Sequence, residues 1–106
     1  MIALALMLGA PADNPGTGGF YAVGVADVKC AFAWDEAHKF ASYSWTLGYW
    51  SGVNSASASK GNGGVGASLD SDGITAAVKA ECAATPDAPL IQAVTNAYIK
   101  ARNSKR

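Results

Sequence analysis

Two cysteines, Cys30 and Cys82, bracket the longest stretch of this chain that can be helical, and that stretch has an unusual make-up: Trp45-Thr-Leu-Gly48-Tyr49-Trp50-Ser-Gly52-Val-Asn54. Glycine in mid-helix costs about 1 kcal/mol relative to alanine, so a helix that keeps both Gly48 and Gly52 needs a compensating contact. The chain has 106 residues, enough for one domain with one core. Much of its apolar content is alanine, which makes that core thin and gives a cross-link a large share of the stability.

Lysine plus arginine equals aspartate plus glutamate, eight of each, which removes the long-range attraction that drives nucleic-acid or anionic-membrane binding. Neither partner is expected. Four basic residues, Lys100, Arg102, Lys105 and Arg106, lie together at the end of the sequence, where they read as a solvated tail that also suits the negative end of a preceding helix.

Residues 1–12 are an apolar run ending in Ala10-Pro11-Ala12, the form of a secretory leader with an Ala-x-Ala cleavage site, although no lysine or arginine precedes the run. Cleavage would leave Asp13 first. The run is far shorter than the roughly 20 apolar residues that span a bilayer, so the expectation is a periplasmic or secreted protein without a membrane partner. In an oxidising compartment two cysteines most simply pair with each other. A bond between Cys30 and Cys82 would stabilise the fold by about 4 kcal/mol through loop closure, which makes it structural. The other reading, a catalytic or metal-binding thiol, has only His38 as an imidazole partner.

Residues 13–29 are rich in proline, glycine and small side chains and predict an irregular arm, with Phe20 and Tyr21 placed to lie on the core. Residues 30–106 predict a helical domain. A short turn of helix surrounds Cys30. Asp35 then caps a long helix running to about Ala56, with Glu36 in its first turn. At about 100° per residue, Ala41, Ser44, Gly48, Gly52 and Ser55 share one narrow stripe, rimmed by Phe40 and Leu47 on one side and by Trp45 and Tyr49 on the other. The stripe predicts close approach of another helix, with Trp45, Gly48, Tyr49, Gly52 and Asn54 as packing residues. The opposite side carries Lys39, Tyr43, Thr46 and Trp50. Tyr43 and Trp50 are therefore the candidate partner-binding residues, unless the arm covers them.

Residues 57–68 read as a flexible loop with too few apolar side chains to pack. Beyond it, Asp70 or Ser71 caps a helix whose apolar face is Ile74, Ala77, Val78 and Cys82, and Thr85-Pro86 stops it. A last helix opens at Asp87-Ala88-Pro89, with Leu90, Val94, Ala97, Tyr98 and Ala101 on one stripe. No alternating strand pattern is present. The expected fold is all-α, a small bundle of about four helices closed by one disulfide.

Motifs for chemistry are weak. Gly61-Asn-Gly63-Gly-Val-Gly66 spells a dinucleotide-binding fingerprint but follows a polar loop rather than a strand. Asp70-Ser-Asp72-Gly73 resembles part of a calcium loop, yet in that frame Lys79 occupies the position of the bidentate glutamate. No cofactor, metal or catalytic residue is assigned. His38 keeps open a response to pH near neutrality and, if a thiol were free, a Cys–His pair.

Cys30 before the long helix, Trp45-x-x-Gly48-Tyr49-x-x-Gly52-x-Asn54 within it, Asp72 and Ile74 opening the next, Cys82-x-x-x-Pro86 and a final amphipathic helix together resemble a superfamily of small exported proteins. That superfamily includes HdeA-type periplasmic acid-stress chaperones and Tai-type immunity proteins of type VI secretion. The resemblance covers roughly the span from Cys30 to Ala101 and implies an α-helical fold with the two cysteines bridged. It implies a non-enzymatic protein that binds another protein, either a toxin or an unfolded client. Acid-activated chaperones of this kind depend on many titrating carboxylates, and only 15% of residues here are charged, so an immunity-like binding role leads and the acid-activated chaperone is the alternative. Pairing between two copies of the chain stays open, since small-residue stripes join helices between chains as well as within one.

Overall fold

A computed structural model of the chain describes residues 23–104. Residues 1–12, expected to be a leader, and most of residues 13–29, expected to be an irregular arm with Phe20 and Tyr21 on the core, lie outside the described residues. Within them are four α-helices, α1 (Cys30–Ala33), α2 (Lys39–Ser57), α3 (Ser71–Ala84) and α4 (Leu90–Asn103), and two 3-10 turns at Gly24–Asp27 and Ala58–Lys60. The described residues contain no β-strand, only an isolated bridge between Lys29 and Pro89. The fold is all-α, and Cys30 and Cys82 are disulfide-bonded with Cα atoms 4.9 Å apart.

The most buried element is α4, where Leu90, Ile91, Ala93, Val94, Ala97 and Tyr98 are all inaccessible to solvent or nearly so. Its apolar stripe is the one its sequence spacing predicts, widened by Ile91 and Ala93. Against it lies α3, begun where the Asp70 carboxylate accepts the Gly73 N–H at 2.7 Å and ended before Pro86. The α3–α4 connection also completes α1. The amides of Cys30 and Ala31 donate to the carbonyls of Ala88 and Pro86, each at 2.8 Å, while Leu90 N donates to Val28 O at 2.9 Å. Those bonds satisfy helix-end groups that would otherwise be orphaned. They also order the end of the arm, whose expected irregularity gives way to a 3-10 turn with Val25 and Ala26 buried.

The long helix differs from expectation in its rotation. Its inward face is Ser42, Thr46 and Trp50, all buried, and the glycine stripe points outward. A Cβ built on Gly48 or Gly52 meets nothing within 4 Å, so neither glycine lines a helix groove among the described residues. The physical reason is that small polar side chains fill the contact instead. Ser42 Oγ donates to the Ala33 carbonyl at 2.6 Å, locking α2 to α1. Trp45 and Tyr49 stack on each other with ring centroids 5.0 Å apart and pack, half-buried, against Ala26 and Ile91.

Trp50 belongs to the core. It is 2% exposed, meets Tyr98 edge to face at 5.0 Å, and its indole N–H donates to the Val65 carbonyl at 2.9 Å. The same carbonyl accepts Asn54 Nδ2 at 3.0 Å, and Asn54 Oδ1 accepts the Tyr98 hydroxyl at 2.6 Å. Burial pushes the Tyr98 phenol above its ordinary pKa, with Arg102 pulling weakly the other way. The 57–68 segment is thereby docked, contrary to the expectation of a loop that does not pack. Its anchor is one valine and one glycine: Val65 is buried, and Gly66, at φ +82°, lies where a Cβ would come within 2.9 Å of Trp50 Nε1.

Candidate functional site

A cleft of about 320 Å³ opens where three elements meet, lined by Trp34 from the turn after α1, Lys39, Phe40 and Tyr43 from α2, and Lys79 from α3. Local sequence dictates the arrangement. Asp35 turns the chain after α1, its carboxylate accepting the His38 N–H at 3.0 Å and its carbonyl accepting the Lys39 N–H at 2.8 Å, so α2 begins at Lys39 with Asp35 as the stop one turn ahead. This replaces the longer helix expected to start directly after Asp35. Lys39 and Tyr43 then project one helical turn apart, and Phe40 stands beside them.

Phe40 is 77% exposed and Tyr43 37%, so the cleft offers aromatic surface to solvent while Trp34 forms its half-buried wall. Both lysines sit over rings: Lys79 Nζ is 5.1 Å from the Trp34 centroid, and Lys39 Nζ is 5.4 Å from that of Phe40. Each such contact contributes about 0.5–1 kcal/mol at an exposed site and holds the ammonium close to the aromatic surface. Lys39 also pairs with Glu36 at 2.9 Å.

Of the two residues expected at a partner surface, Tyr43 lies in the cleft and Trp50 does not. Trp50 is enclosed by Tyr98, Val65 and Gly66, because the inward rotation of α2 carries it under the 57–68 segment. Trp34, Phe40 and Lys79 were missed as site residues. Phe40 stands on the rim of a glycine stripe that the sequence reads as an inward groove, so the sequence carries no signal of its exposure; Trp34 and Lys79 belong to other elements and come together only in the fold.

A second groove, about 290 Å³, runs between α3 and α4. Its walls include Gly73, Ala77, Ala97 and Ala101, and its charges, Glu81 and Lys100, satisfy each other at 2.6 Å. It offers shape but little chemistry.

His38 Nδ1 lies 2.7 Å from Asp35 Oδ1, and this hydrogen bond holds the Asp35 carboxyl below its ordinary pKa. The disulfide takes both of the chain's cysteines, so the Cys–His pair the sequence admits has no thiol. Among the described residues no three histidine, cysteine or acidic side chains converge on a metal position. The glycine run 61–66 turns between α2 and α3 and follows no strand. No helix among the described residues is long and apolar enough to cross a membrane. No protein-family model, curated protein or solved structure matches the chain.

Proposed function

We propose that this is a non-enzymatic exported protein that acts by binding another protein, and that the Trp34–Phe40–Tyr43 cleft is its contact surface. The observation that carries the reading is Phe40. A phenylalanine that is 77% exposed, beside Tyr43 and above an aromatic wall, forms the kind of concave aromatic patch that binding hot spots use. The resemblance to the exported superfamily of acid-stress chaperones and immunity proteins supports the same reading, with an immunity-like role ahead of an acid-activated one. Export is supported by the apolar leader and by a disulfide, which suits an oxidising compartment.

Cross-linked capture from the cells that make the protein tests this. Wild-type protein should bring down a protein partner, and a Phe40→Ala/Tyr43→Ala variant with an unchanged circular dichroism spectrum should lose it. Equal capture by both would move the site elsewhere. Failure of the wild type to bind any protein would remove the reading.

A further inference from the structure

Resting on the protein-binding reading above, we propose that the cleft selects a peptide segment bearing a carboxylate beside an apolar or aromatic side chain, and that Lys79 is the group that selects the carboxylate.

Charge is distributed unevenly around this site. The chain as a whole has as many acids as bases, yet the two basic or acidic residues lining the cleft with its aromatics are both lysines, Lys39 and Lys79, and no carboxylate lines it. Lys79 makes no ion pair among the described residues, and its ammonium lies over the face of Trp34. The acid nearest to it in sequence, Glu81, is held by Lys100 at 2.6 Å.

Lys39 shows how a carboxylate sits at this rim, because Glu36 reaches it at 2.9 Å while remaining 90% exposed. Such a surface pair is weak, so an incoming acid can displace Glu36 or add at Lys79. The aromatics set the second requirement. An acidic side chain alone would leave Phe40 and Tyr43 in water, an apolar side chain alone would leave the Lys79 ammonium without an ion pair, and a basic segment would be repelled. A carboxylate next to an apolar side chain uses both halves of the cleft.

Short random peptides displayed against the full-length, disulfide-intact protein test the proposal, with parallel selections on Lys79→Gln and Phe40→Ala. Circular dichroism establishes that both variants are folded. The expected result is enrichment of Asp or Glu adjacent to Phe, Trp or Leu. A selected peptide should then bind Lys79→Gln about fivefold more weakly than wild type and Lys79→Arg nearly as well. Its Asn or Gln counterpart should lose a similar factor and be indifferent to Lys79→Gln, since the coupled pair is already broken. Apolar peptides that bind wild type and Lys79→Gln alike would overturn the carboxylate inference and leave the protein-binding reading standing. No enrichment at all, or enrichment insensitive to Phe40→Ala, would overturn the assignment of this cleft as a contact surface.

Discussion

Trp50 shows how a single side chain can hold three parts of a small protein together. Its ring packs on Tyr98 of α4, its N–H reaches Val65 in the 57–68 segment, and its own backbone belongs to α2. Trp50→Ala should cost about 3–5 kcal/mol, a large fraction of the stability of a domain this size. Trp50→Phe should cost about 1–2 kcal/mol, because the Val65 carbonyl keeps its bond from Asn54 at 3.0 Å when the indole donor is lost. Gly66→Ala should be destabilising by more than 1 kcal/mol, since the added Cβ meets the indole at 2.9 Å on a backbone at φ +82°. Urea unfolding of the three variants measures this directly. A Trp50→Ala variant as stable as wild type would mean that the indole is not a core group.

At the scale of the helix, the two glycines of α2 lead to an unusual expectation. They were expected to admit a neighbouring helix, in which case alanine would clash; instead the space at both positions is open to 4 Å. Gly48→Ala and Gly52→Ala should therefore each raise stability by about 1 kcal/mol, by restoring helix propensity. Thermal unfolding that shows a loss would mean that something covers this face. The contrast between helices explains what could be read in advance. In α3 and α4 the apolar residues repeat on one side, and Asp70, Pro86 and Pro89 mark the ends, so packing and boundaries follow from local chemistry. Along α2 the aromatics surround the helix and leave almost no hydrophobic asymmetry. Its buried face is instead Ser42, Thr46 and Trp50, one turn apart, a pattern in which two small polar residues look like surface. The choice is made by contacts distant in sequence, such as Ser42 with Ala33 and Trp50 with Val65. The candidate site was half legible for the same reason: Tyr43 could be found from one helix, whereas Trp34 and Lys79 come together only through the fold.

The disulfide joins stability and site at the scale of the whole molecule. Cys30 lies one turn before Trp34, and Cys82 one turn after Lys79, so the bond clamps together the two elements that supply the Trp34–Lys79 wall of the cleft. Closing a loop across a sequence separation of 52 residues contributes about 4 kcal/mol, against a total of about 5–15 kcal/mol for a domain. Reduction, or the Cys30→Ser/Cys82→Ser pair, should therefore lower the unfolding free energy by about 4 kcal/mol. It should also loosen the cleft ahead of the rest of the molecule. The backbone bonds from Cys30 and Ala31 to Ala88 and Pro86 still hold α1 to the α3–α4 connection, whereas Trp34 meets Lys79 only through the face of its ring, a weaker contact than a backbone hydrogen bond. Denaturant titrations with and without reductant measure the first effect, and the NMR shift of the Trp34 indole proton reports the second. An indole signal unchanged on reduction, in a protein weakened as expected, would assign the wall to packing around Ala33 and Ser42 and leave the disulfide a purely global role.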